Sequence, residues 1–163
     1  MTIKKEKGFS LIELLIVVAI ILIIAAIAIP NLLRSRMAAN EASAVGSLRT
    51  VNTAEITYST TYPTVGFGAL ATLGGAAASC AGATFASSAK ACLIDDVLAT
   101  TAKKSGYNFT ATAGAGTPAV TYVSLAVPTV NGQSGQRAFC SDQSGVIRFN
   151  AGGVACANTD PAL

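Results

Sequence analysis

The sequence predicts an α+β protein in which one long N-terminal helix packs on an antiparallel sheet of three or four strands. Three observations carry this expectation. Phe9 to Ile29 is a predominantly apolar run with a single charge at Glu13, residues 31–58 keep a helical spacing of apolar positions, and the last third of the chain alternates with a period of two. A length of 163 residues leaves room for one domain plus an appendage. The composition is 52% hydrophobic but only 12% charged, so part of the chain should lie in lipid or against other subunits.

Three of the 11 basic residues and one of the 8 acidic ones fall in the first eight positions, so the remainder is nearly balanced. No basic face for nucleic acid is evident. The chain has no His and no Trp, which removes the commonest general base near neutral pH. No nucleophile–base pair or metal cluster is visible either, and neither enzymatic activity nor a cofactor is expected.

The run Phe9–Ile29 would form a helix of roughly 30 Å, the thickness of a bilayer's hydrocarbon core. Lys4, Lys5 and Lys7 precede it and favour a cytoplasmic Met1, although Arg34 and Arg36 on the far side oppose that orientation. A secretory signal cut after Ala26-Ile27-Ala28 matches a small-x-small pattern. Its core would be too long, would hold a carboxylate and would be cut beside Pro30. A plain membrane anchor explains the length and leaves Glu13 unexplained. An ionisable group inside such a segment costs up to about 2.5–3.5 kcal/mol and calls for a partner. Removing a leader between Gly8 and Phe9 would create an α-amino group, and the amine of one subunit could meet the Glu13 of the next.

The stretch Lys7-Gly8-Phe9-Ser10-Leu11-Ile12-Glu13-Leu14-Leu15-Ile16 resembles the processing motif of type IV prepilins and type II secretion pseudopilins. It has a short basic leader ending in Gly, an aromatic start to the mature chain, a Glu five positions into it and an apolar helix. The resemblance implies the pilin fold, cleavage after Gly8 by a membrane-embedded aspartyl peptidase, N-methylation of Phe9, and pairing of Glu13 with a neighbouring N-terminus. It further implies a homopolymer of pilin copies, built from subunits held in the inner membrane with the C-terminus outside, by a platform protein and an assembly ATPase. The product would be an extracellular pilus serving adhesion, twitching motility or DNA uptake. The alternative is a pseudopilin, major or minor, of a type II secretion system.

The expected organisation is a cleaved leader at 1–8, a transmembrane or filament-core helix at 9–29 and an amphipathic half-helix at 30–59. A variable connecting region follows at 60–106, then a sheet with a disulfide-bonded C-terminal loop at 107–163. Pro30 should kink or locally melt the helix, the alternative being a helix stop there. Beyond it, Leu33, Met37, Val45, Leu48, Val51 and Tyr58 form a narrow apolar stripe with Arg34, Arg36, Glu41, Arg49 and Glu55 interspersed. The helix should end before Pro63. The Ala/Gly-rich connecting region contains one further helical candidate, Lys90 to Lys103.

Tyr107, Phe109 and Ala111 alternate with Asn108, Thr110 and Thr112, and Val123, Leu125 and Val127 repeat the apolar pattern. Arg137–Cys140 and Val146–Phe149 flank the turn sequence Asp142-Gln143-Ser144-Gly145. Four cysteines permit three pairings. Cys80–Cys92 and Cys140–Cys156 are preferred because each joins sequence neighbours, and without His or a Cys-x-x-Cys a zinc site is disfavoured. Asp142 and Asp160 are weak calcium candidates, with ordinary turn and surface roles as the bland alternative. Asn108-Phe109-Thr110 matches a glycosylation pattern but falls in an expected strand.

Overall fold

The structure, a computed structural model, describes residues 8–81 and 86–163, so the leader lysines lie outside the described residues. Helix α1 runs from Leu11 to Thr61, and the chain divides into two compact units, one ending at Ser35 and the other spanning Arg36–Leu163. α1 passes through Pro30 without ending, so the expected alternative of a helix stop there is overturned. A proline removes one i→i−4 bond, and the surrounding Leu, Ile and Ala residues sustain the helix on both sides. The helix does end two residues short of Pro63, in line with the restriction proline places on its predecessor.

In the second unit, α1 buries Glu41, Ala44, Leu48, Val51, Glu55 and Tyr58, an alternating three- and four-residue spacing that defines one face. Leu33, expected on the stripe, is exposed. The sheet opposite has five strands in sequential antiparallel order: β1 (Lys103–Lys104), β2 (Tyr107–Ala113), β3 (Tyr122–Pro128), β4 (Ala138–Asp142) and β5 (Arg148–Asn150). It exceeds the expected three or four strands by the two-residue β1. The expected helix over Lys90–Lys103 contracts to α3 (Asp96–Thr101) for two local reasons. The Asp95 carboxylate accepts the Leu98 N–H at 2.8 Å and starts the helix there, and Ala102 in the left-handed region stops it. The rest of the connecting region holds a four-residue helix α2 (Leu70–Leu73) and a 3₁₀ turn at Ala77–Ser79.

One face of the sheet departs from the sequence pattern. On β2, Tyr107, Phe109 and Ala111 point into the core as expected. On β3 the inward residues are Tyr122, Ser124 and Ala126, while Val123 is 40% exposed on the outside. The register explains the inversion: Phe109 sits opposite Ala126, Ala111 opposite Ser124 and Ala113 opposite Tyr122. Phe109 against Ala126 and Tyr122 against Ala113 each set a large side chain against a small one, with the small pair Ala111 and Ser124 between them.

β4 is buried on both faces. Phe139 and Ser141 share the inner face, whereas Cys140 bonds to Cys156 and brings the C-terminal loop over the outside. Arg148, opposite Cys140, donates to the Asp160 carbonyl at 3.0 Å and reinforces that cover. A second bridge, Cys80–Cys92, pins the 3₁₀ turn to the segment entering α3. Both disulfides match the preferred pairing.

A buried polar cluster locks α1 to the sheet. Asn52 donates to Ser141 Oγ at 2.8 Å and accepts the Tyr122 hydroxyl at 3.1 Å, and Ser141 in turn donates to the Val146 carbonyl at 3.0 Å. The turn at Asp142–Gly145 closes by a Gly145 N–H bond to the Asp142 carbonyl, with Gly145 at φ +73°. Because Asn52→Ala leaves the buried Tyr122 hydroxyl and Ser141 Oγ without their Asn52 partner, urea unfolding should show a loss of about 2 kcal/mol. Thr53→Ala, one residue round on the exposed face, should stay within about 0.5 kcal/mol of the parent.

Candidate functional site

The first unit is a helix without a cover. Every residue described from Gly8 to Ile23 is exposed, and the most apolar window of α1 has none of its residues buried. Phe9 is 89% exposed and Ile27 70%. The segment is long and apolar enough to cross a membrane.

Glu13 is not without a partner in this structure. Its Oε2 accepts the Ser10 backbone N–H at 2.9 Å. Ser10 is the residue just before the first helical position, and Glu13 is the third position inside, so the pair forms half of a capping box. Glu13 thus has a partner within its own chain before any neighbouring amine is available. The signal was present as Ser10-x-x-Glu13, the spacing of a helix start. The arrangement has a chemical consequence: the carboxylate is already turned toward the chain's N-terminal side, where Gly8 and Phe9 precede the helix. Pro30 borders a notch of about 330 Å³ lined by Ile27, Asn31 and Arg34.

The second unit holds two carboxylates interspersed along the apolar stripe, Glu41 and Glu55. Glu41 accepts the Gln136 N–H at 2.9 Å, the Arg137 N–H at 3.2 Å and the Arg137 Nε at 2.9 Å, with a further ion pair to that guanidinium at 2.8 Å. Burial alone would raise its carboxyl, but the Gln136 and Arg137 donors outweigh it and hold it below the ordinary value. The same guanidinium lies over the rings of Phe139 and Phe149 at 5.4 and 5.5 Å.

Glu55 is fully buried. One oxygen accepts the Gly68 N–H at 2.9 Å, and the other has no hydrogen-bond partner among the described residues. Burial, only partly offset by the Gly68 bond, pushes its carboxyl up to about 7. Both glutamates and Asn52 fall in the three- and four-residue register of Ala44, Leu48, Val51 and Tyr58, and that register was the available signal for their burial.

The remaining candidates do not converge. Asp142 Oδ1 is taken up by the Ser144 N–H and hydroxyl within its own turn, while Asp160 Oδ2 accepts the Ala157 N–H at 2.9 Å. Among the described residues no group of three or more His, Cys, Asp or Glu side chains could hold a metal ion.

The uncovered apolar helix with an acidic group in its first turn has counterparts in known sequences. A family model described as the prokaryotic N-terminal methylation motif matches residues 3–29. Over 38 residues the chain is 63% identical to the type IV wide pilus major component PilA4 of Thermus thermophilus, a stretch covering 23% of this chain and 29% of that one. Over 51 residues it is 47% identical to the type IV major pilin protein PilA of Myxococcus xanthus, covering 31% and 23%. The chain thus spans less than a third of the length of these curated relatives. No solved structure matches it. The chain carries the methylation motif, and the proteins it resembles there are type IV pilins.

The raised Glu55 carboxyl predicts a particular pH dependence. Unfolded, the group ionises near 4.5; folded, it keeps its proton to about 7. Its neutral burial is thus without penalty below pH 4.5, and stability declines as pH rises through 7, by on the order of 3 kcal/mol. Comparing Glu55→Gln with the parent by tyrosine near-ultraviolet dichroism should show the variant gaining relative stability between pH 5 and 8. Parallel pH profiles for the two proteins would refute the assignment.

Proposed function

We propose that this chain is the precursor of a structural subunit of a type IV pilus, and that it polymerises through its N-terminal helix. The observation that carries the proposal is the apolar stretch Leu11–Ile29 of α1, with none of its residues buried, which lies within the residues matched by the methylation motif. Such a surface needs lipid or other copies of itself. In this reading a prepilin peptidase cuts between Gly8 and Phe9 and methylates Phe9. The subunit waits in the inner membrane with its C-terminus outside, then enters an extracellular filament by the action of a platform protein and an assembly ATPase. Both relatives are described as pilus major components, which favours a pilus over a secretion pseudopilus.

Glu13 then has two successive partners. In the monomer it caps its own helix through Ser10. In the filament the methylated amine of a neighbouring Phe9 replaces that neutral donor with a charged one, a stronger bond in a dry interior. Pro30 would bend or melt the helix where the packed core gives way to the outer domain.

Mass spectrometry of the mature protein should find a chain beginning at N-methylated Phe9, and purified surface filaments should contain it as their main component. A mature chain starting at Met1 or Ile29 would end the proposal. Glu13→Ala should leave cleavage intact and abolish most filament yield, whereas filament yield equal to the parent's would remove the intersubunit role of the carboxylate. Loss of protein secretion on deletion, with no surface filaments containing the chain, would point instead to a pseudopilus.

A further inference from the structure

We infer that the notch formed by Ile27, Pro30, Asn31 and Arg34 binds the phosphate headgroup of a membrane phospholipid. The inference rests on the reading that Phe9–Ile29 crosses a bilayer, and it names a partner for the subunit before assembly. The four residues line a cavity of about 330 Å³ on one face of α1, as their three- and four-residue spacing requires.

Side chains on a helix lean toward its N-terminus, so Arg34 reaches back over Asn31 and Pro30. Arg34 lies five residues past Ile29, about 7.5 Å along the axis. A long basic side chain leaning back over that distance puts its guanidinium where the hydrocarbon ends and the headgroups begin. Proline lacks an N–H and carries a ring in place of a free side chain, which leaves the wall of the helix open at this level. Asn31 adds an amide donor beside the guanidinium, and Ile27 provides an apolar floor one turn deeper, facing the start of the acyl chains.

Charge complementarity selects the occupant. No acidic residue occurs between Glu13 and Glu41 in the sequence. The ion pairs among the described residues are Lys104 with Asp95 and Arg137 with Glu41, so Arg34 takes part in none of them. A guanidinium at a bilayer surface with no carboxylate to pair with meets phosphate, whose geometry it matches with two parallel bonds. A free phosphate ion would gain the same charge contact but nothing from the Ile27 floor.

The test uses the full chain in nanodiscs of mixed phosphatidylglycerol and phosphatidylcholine, with retained lipid counted by native mass spectrometry and insertion checked by resistance to alkaline extraction. Retention of a phospholipid by the parent is expected. Arg34→Gln should lower the retained fraction by about ten-fold or more, the loss of one charge-assisted contact. Arg36→Gln removes the same charge two residues on, where helix neighbours do not share a face, and should retain lipid as the parent does. Millimolar inorganic phosphate should not displace the lipid. Equal loss in both variants would reduce the effect to general surface charge, and retention by Arg34→Gln or competition by inorganic phosphate would also overturn the site. A chain released by alkaline extraction would sink the membrane reading and the site together. An inserted chain that fails the Arg34 comparison would sink the site alone.

Discussion

The constraint on which the rest of this structure depends is that the apolar surface of α1 from Leu11 to Ile29 finds no cover within its own unit. Each Leu, Ile or Val side chain left in water forgoes about 1.5–3 kcal/mol, and the segment contains little else. No rearrangement among the few other described residues of that unit could offset such a loss. The chain is therefore built for surroundings it does not itself provide, first lipid and then, on the proposed reading, its own copies. Passing from one to the other brings little hydrophobic gain, because lipid tails are about as apolar as leucine. Close packing and polar pairing must supply the preference for the filament, which gives a single carboxylate at the head of the helix unusual weight.

The later part of the same helix meets the opposite situation. There the core is small and rich in alanine, and its orientation on the sheet is set largely by polar groups. Glu41 holds the strand entrance through Arg137, Asn52 holds the β4–β5 turn through Ser141, and Glu55 holds the loop after the helix through Gly68. Apolar contact alone tolerates sliding of a helix along a sheet, whereas three directional contacts spaced over four turns do not. Glu55 is the costly member, since it is buried with one oxygen unpartnered and keeps its proton to do so.

Much of this was legible in the sequence. The apolar run, the helix end before Pro63, the alternation of β2 and the disulfide pairs all follow from local rules that tertiary packing did not override. The failures share a cause. Val123, Leu125 and Val127 carry the apolar pattern of β3 but face outward, because the strand's register sets Tyr122, Ser124 and Ala126 opposite Ala113, Ala111 and Phe109 beneath the helix. Glu41 and Glu55 stand among the charges interspersed along the apolar stripe, and their partners, Arg137 and Gly68, are set by the fold and not by spacing. The contraction of α3 depends on an Asp95 cap and a left-handed Ala102 that periodicity does not register.

Glu13 belongs to both groups, and its case bears most on function. Its place in the apolar run was plain, yet its bond to the Ser10 N–H was not drawn from the Ser-x-x-Glu spacing that encodes it. That bond lowers the cost of carrying a charge into lipid before any neighbour is present, since a hydrogen-bonded carboxylate at a helix N-terminus also faces the favourable end of the helix dipole. It also turns the oxygens toward the position where cleavage before Phe9 would expose a new amine. A local cap and the proposed intersubunit pair would thus be successive uses of one orientation. On the proposed reading, the cap makes the monomer tolerable in the membrane, and the charged amine of a second copy, by offering a stronger partner at the same place, would make leaving it favourable.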